Sequence, residues 1–193
     1  MESSSKRGVR IVLVHGLISG AIVIGTMLIG FALADGRAGQ VATSQAFGYL
    51  IMLVALSIIF FGVKRYRDDE LGGVIRFWPA LGVGAAISAV AGLVYVAGWE
   101  AHLAATDYAF IEEYTASVIE ASRQEGATAE ELAAVEAEMQ VMRERYALPL
   151  FRVPITFLEI FPVGLLISLI SAAVLRNPRV LPATTGGREV GAA

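Results

Sequence analysis

Four runs of this chain, Ile11 to Ala34, Ala46 to Val63, Phe77 to Gly98 and Phe151 to Leu175, are almost free of charge and approach the length at which a helix crosses a bilayer. A hydrocarbon core of about 30 Å needs about 20 apolar residues at a helical rise of about 1.5 Å each. Lipid offers no partner to a backbone N–H or C=O, so a crossing segment must satisfy its own hydrogen bonds, and long apolar runs do so as helices. The sequence therefore predicts an all-α polytopic membrane protein with four transmembrane helices. Composition agrees: 56% of the 193 residues are hydrophobic and 17% charged, and a mean hydropathy of +0.65 is too high for a soluble domain of this size. The second run is the shortest, held between Gln45 and the charged sequence "KRYRDDE" (Lys64 to Glu70), and is expected to stand upright or to lie where the bilayer is thin.

Basic residues orient the spans. Lys6, Arg7 and Arg10 precede the first, Lys64, Arg65, Arg67 and Arg76 lie between the second and third, and Arg176, Arg179 and Arg188 follow the fourth. Ten of the fifteen basic residues thus share one side, which the positive-inside rule assigns to the cytoplasm, with both termini inside. The region from Trp99 to Leu150 then lies outside, with eleven acids against Arg123, Arg143 and Arg145, a net charge of about −8. Such a surface repels nucleic acid and anionic lipid. There is no cysteine, which excludes disulfides and thiolate metal sites. "ALAD" (Ala32 to Asp35) resembles a signal cleavage site, but the run before it is longer than a typical signal core, so a retained span is expected. "LPATTG" (Leu181 to Gly186) misses the sortase pattern by one inserted threonine, and residues 177–193 read as a disordered cytoplasmic tail.

Between the third and fourth spans the pattern is that of an extracytoplasmic amphipathic helical hairpin, within residues 99–150. Asp107 is placed to cap a first helix ending near Gln124, before Gly126, with Ile111, Tyr114, Val118 and Ala121 on one face. Thr128 with Glu131 makes a capping box for a second helix. Leu132, Val135, Met139, Met142 and Tyr146 recur three and four apart on it, a seam that either faces the first helix or docks a protein partner, and Pro149 is expected to end it.

Inside the bundle, Gly16 and Gly20 of the first span and Gly84, Ser88 and Gly92 of the third form rows of small residues that permit a close crossing, with Gly16 level with Gly84 and Gly20 level with Ser88. The fourth span carries an acid, Glu159, between Pro154 and Pro162. At about 12 Å from the end of its run, an ionised carboxylate facing lipid would be costly, so Glu159 is expected to face the bundle or a wet cavity. Thr26, Ser57, Ser88 and Tyr95 lie at comparable depth and are candidates for a hydroxyl cluster around the neutral acid. Each proline frees a carbonyl one turn earlier, around Leu150 and Leu158, a feature shared by ion sites in broken transporter helices. The alternative is a purely structural kink with Glu159 as a hydrogen-bond partner. His15 reads as a neutral histidine bonded to Ser168 or a carbonyl, with a proton path toward Glu159 as the functional alternative.

The segment "IIFFGVKRYRDDELGGVIRFWPALGVG" (Ile58 to Gly84), the tryptophan and acid at Trp99 and Glu100, and "FPVGLLISLISAAVLRNP" (Phe161 to Pro178) resemble a bacterial membrane family known only as domain of unknown function 4199. The resemblance implies four spans with an external insert before the last, and implies no activity or catalytic residues. It directs attention to the loop around Arg65, Arg67, Asp68 and Asp69, read here as solvated charges that anchor the inner face.

No phosphate-binding glycine loop, zinc-protease helix or serine-hydrolase elbow is present. "EAH" (Glu100 to His102) beside Asp107 needs no metal to explain it, and no cofactor is expected. The expected layout is three spans in residues 1–98, the acidic hairpin in 99–150, the fourth span in 151–176 and the tail beyond. The expected partners are the lipid bilayer and either a protein partner or further copies of the chain. The function expected is that of a non-enzymatic accessory or assembly protein, with a small transporter or proton-coupled unit centred on Glu159 as the alternative.

Overall fold

The computed structural model describes residues 2–32 and 45–183. The end of the first expected span, the "ALAD" sequence and residues 184–193 of the expected tail lie largely or wholly outside them. Among the described residues there are helices and connections but no strand: α1 (Glu2–Ala32), α2 (Gln45–Leu56), α3 (Ile58–Leu71), α4 (Phe77–Ala105), α5 (Ala109–Gln124), α6 (Ala129–Tyr146) and α7 (Pro149–Leu175). Four stretches are long and apolar enough to cross a membrane, Lys6–Ala32, Gly48–Leu71, Phe77–Ala105 and Pro149–Leu175. The chain divides into two compact units, Met1–Val94 with Ile160–Ala193, and Tyr95–Glu159.

In the first unit, the second span is longer than its apolar run. Helix α2 passes through a single turn residue, Ser57, into α3, and α3 absorbs the charged sequence that was expected to end it. Lys64 pairs with Asp68 at 2.6 Å and Arg65 with Asp69 at 3.2 Å, both one turn apart, so the charges support helix rather than break it. The helix stops at Gly72, whose φ of 64° and N–H bond to the Arg67 carbonyl make a left-handed cap that a side chain would strain.

Small residues set the helix crossings. A methyl placed on Gly16 would lie 2.5 Å from Val90 Cβ, and one on Gly20 would lie 2.6 Å from the Ala91 carbonyl oxygen, so α1 and α4 approach closely there. The register differs from the one expected. Gly16 and Gly20 oppose Ile87 to Val94, while Gly84 and Ser88 turn to α7, where Gly84 meets Ser168 and Gly164 meets Ser88. Counting depth from the ends of the apolar runs misplaced them, because α1 begins at Glu2, well before its apolar run. Gly92 is buried. Gly62 of α3 admits the His15 ring and Ile87 in the same way.

The chain after α7 is not a free tail from residue 177. Arg67 is 0% exposed, and its guanidinium donates to the carbonyls of Val180, at 2.9 Å, and Leu181, while Nε pairs with Asp68 at 2.7 Å. One buried cation thus saturates two carbonyls of an irregular segment that has no ladder of its own, which corrects the reading of this arginine as a solvated anchor. Arg67→Leu removes those donors, and hydrogen bonds to charged groups contribute about 1.5–3 kcal/mol each. Amide exchange in residues 179–181 should accelerate by at least an order of magnitude in the variant while the core of α4 keeps its rate; unchanged exchange would contradict the clamp.

Candidate functional site

The second unit is built around the hairpin of α5 and α6. Thr128 accepts from the Glu131 N–H at 3.3 Å and the Glu131 carboxylate accepts from the Thr128 N–H at 2.8 Å, the reciprocal capping box expected from sequence. Gly126 makes the turn with φ 84°. At the other end, Asp107 does not cap α5. Asp107 and Tyr108 both adopt left-handed conformations, at φ 49° and 59°, and Tyr108 takes the N-cap position without a side-chain bond. The face of α5 that packs is centred on Thr115, which is 0% exposed, whereas Tyr114 and Ala121 point outward. Thr115 can be buried because its hydroxyl donates to the Ile111 carbonyl at 2.8 Å and accepts from Arg143 of α6 at 2.7 Å. A polar residue at the centre of a packed face is invisible to a search for apolar periodicity. On α6, Met139 is buried and Leu132, Val135, Met142 and Tyr146 are half-buried. Pro149 does not end α6, which stops at Tyr146; it opens α7, where a missing N–H costs nothing.

Arg152 holds this unit together. It lies in the first turns of α7, is 2% exposed as a residue, and its Nε and second amino group donate to both carboxylate oxygens of Glu100 on α4, each at 2.7 Å. Its remaining amino group donates to the Tyr146 carbonyl at the end of α6, at 2.8 Å. The rings of Tyr108 and Tyr146 lie 5.1 and 5.7 Å from the guanidinium carbon. Around it, the Trp99 indole N–H donates to the Tyr146 hydroxyl at 2.7 Å, and Trp99 stacks on His102 and meets the edge of Phe110 at 4.8 Å. One turn back on α4, the Tyr95 hydroxyl donates to Glu159 Oε2 at 3.1 Å. One cation, two acids and three tyrosines therefore tie the ends of α4 and α7 to both ends of the hairpin.

Burial pushes the Tyr146 phenol above its ordinary pKa, against the indole hydrogen bond that lowers it. Tyr146 therefore stays a neutral acceptor for Trp99 and does no acid–base work near neutral pH. Glu100 is committed to Arg152 and His102 to a stacking contact, so "EAH" is an anchoring sequence; among the described residues no group of three His, Cys, Asp or Glu side chains could hold a metal.

Of the residues proposed from sequence to surround Glu159, the structure brings Tyr95 to it. Thr26 returns its hydroxyl to the Ile22 carbonyl at 2.8 Å and Ser57 to the Leu53 carbonyl at 2.7 Å. Ser88 bonds Gly84 O and meets the Ser168 hydroxyl at 3.1 Å. His15 Nδ1 lies 2.7 Å from the Ile11 carbonyl oxygen, one turn back on its own helix. Glu159 itself is exposed, because the packed row of α7 runs through Thr156, Ile160, Gly164 and Ser168 and leaves the acid beside it. Sequence reasoning missed Arg152, although a signal was available: a single cation in the first turn of an apolar run, two turns before an acid, requires a buried counter-charge.

The family described as protein of unknown function (DUF4199) matches residues 15–177. The chain belongs to this family. The match spans Tyr95, Trp99, Glu100, Tyr146, Arg152 and Glu159, so the whole cluster falls within the DUF4199 region, while the Val180 and Leu181 end of the Arg67 clamp falls outside it. No curated protein and no solved structure matches the chain.

Two outcomes follow from the geometry. Arg152→Leu leaves Glu100 without a partner; breaking a buried pair costs about 3–5 kcal/mol, and the low end applies because the Glu100 side chain keeps 27% exposure. Protection of the α5 and α6 amides in lipid nanodiscs should fall accordingly, whereas Arg123→Leu, which removes a surface pair with Glu120, should change it by less than about 1 kcal/mol. Equal effects would show that the hairpin does not hang on Arg152. The capping box adds a pH dependence. The Thr128 backbone N–H, and then its hydroxyl, hold the Glu131 carboxyl below its ordinary 4.5. The stability it contributes is therefore present above the ordinary value and lost as pH falls through the depressed one. First-turn amides of α6 should lose protection over that acid range, and Glu131→Gln should abolish the dependence; an identical pH profile in the variant would refute it.

Proposed function

We propose that this DUF4199 protein is a non-enzymatic accessory or assembly protein of the bacterial inner membrane, with both termini cytoplasmic and the hairpin outside, and that the hairpin holds a partner. The observation that carries the reading is the Arg152 cluster, which ties the hairpin to two spans by a buried ion pair instead of leaving it as a loose loop. With the α6 seam of Leu132, Val135, Met139, Met142 and Tyr146 at least half-buried, the surface left to a partner is made of exposed acids that include Glu113, Glu136 and Glu138. A rigid acidic surface selects a basic partner and speeds its arrival, since electrostatic complementarity acts on association rate and specificity. The charge bias of the flanking segments supports the orientation.

The test is gentle purification from the native membrane of the wild type beside a variant with glutamine at Glu113, Glu136 and Glu138. These side chains are exposed, so the hairpin keeps its fold. A stoichiometric protein lost from the variant, and released from the wild type by salt, is the expected result; the same proteins in the same amounts would sink the reading. Deleting residues 104–148 is a coarser version, because it also removes Tyr146 from Arg152. The transporter alternative has one observation in its favour, the Tyr95 hydrogen bond to an intramembrane acid. It fails if Glu159→Gln leaves ion flux and pH responses of vesicles unchanged.

A further inference from the structure

The exposed side of α7 carries two polar groups that lipid cannot satisfy. Glu159 lies about 15 Å from the start of this 27-residue helix, near the middle of the span. The residue is exposed as a whole, and the part-buried hydrogen bond it makes among the described residues is the one from Tyr95 to Oε2. One residue away, Leu158 is 59% exposed. Pro162 has no N–H, so the Leu158 carbonyl lacks the amide it would meet one turn later. The surrounding surface is apolar, with Ile155 and Leu166 both exposed.

An ionised carboxylate at this place is costly, and the neutral acid is the form lipid tolerates. In that form Oε2 accepts from Tyr95 and the other oxygen carries a proton to donate. A donor at Glu159 and, at Leu158, an acceptor deprived of its usual amide by Pro162 are adjacent on one face and complementary to the same face rotated about a two-fold axis along the membrane normal. Each Glu159 hydroxyl then reaches the Leu158 carbonyl of the other copy, and both polar groups of both chains are satisfied at once. We propose that this face of α7 is a homodimer interface, occupied by a second copy of the chain. The second copy is favoured over a different protein because the face supplies both halves of the pair, as an isologous contact requires. This proposal concerns the membrane interior and stands independently of the hairpin's partner.

Since the chain has no cysteine, a single introduced thiol cannot crosslink within one chain, and a product of twice the chain mass joins two copies. Leu158→Cys in native membranes should give a covalent dimer with a short bis-maleimide, whereas Leu93→Cys, at a position on α4 that is 63% exposed, should not. Adding Glu159→Leu should weaken the dimer about tenfold, the loss of two hydrogen bonds in lipid. Adding Glu159→Gln, which keeps an N–H donor, should preserve it, and this pair of variants separates loss of pairing from loss of fold. A benzophenone attached to the introduced thiol reads the occupant by mass: a product of twice the chain mass supports the proposal. A product with another protein, labelling of lipid only, or a dimer yield indifferent to Glu159→Leu would overturn it.

Discussion

The guanidinium of Arg152 determines how the hairpin of this protein is held. A cation with so little access to water persists only if its hydrogen-bond donors and its charge are answered nearby. Glu100 answers both with two bonds of 2.7 Å, the Tyr146 carbonyl takes a third donor, and two tyrosine rings close the faces. Each of these partners comes from a different stretch: Glu100 from the end of α4, Tyr108 from the entry to α5, and Tyr146 from the end of α6. Removing water from one side chain thereby fixes the three ends that define the hairpin. The Trp99 to Tyr146 bond and the Phe110 contact with Trp99 add to the packing of the same ends.

The same logic operates at Arg67, where a buried arginine saturates the carbonyls of an irregular segment. In both places the protein uses arginine, whose planar fork gives several donors in fixed directions, rather than lysine. In the first unit, contacts between helices rely on glycine and serine. Gly16, Gly20, Gly84 and Gly164 let backbones approach, and Ser88 with Ser168 adds a hydrogen-bonded pair at the α4 and α7 crossing. Close backbone packing supplies dispersion that lipid tails cannot match, which is the main attraction available where there is no hydrophobic effect to exploit.

The spans were legible because twenty apolar residues admit few other structures, and the capping box and Gly126 were legible because their chemistry is local. The misreadings share a cause: they depend on partners far away or on ends set by something other than hydrophobicity. Helix α3 outran its apolar run because Lys64 and Arg65 find acids one turn on. Asp107 yielded the cap position to Tyr108, where the chain must turn through left-handed conformations to bring the tyrosine beneath Arg152. Arg152 finds Glu100 across 52 residues, a separation over which neither periodicity nor spacing carries a signal. Glu159 was legible as an anomaly, and Tyr95 as one of its neighbours at the same depth; that the acid sits beside the packed row of α7 could come only from the helix rotation.

Family membership supplies the architecture of a DUF4199 protein and leaves the chemistry to be read from these contacts. The most direct test of the account is a charge swap, Glu100→Arg with Arg152→Glu, compared with each single change by amide exchange across α5 and α6 in nanodiscs. Each single change places two like charges in a half-buried site and should strip the hairpin of protection. The double variant restores an opposite pair in the same place and should recover a large part of it. If the double variant is no better protected than the singles, the hairpin is held by something other than this ion pair.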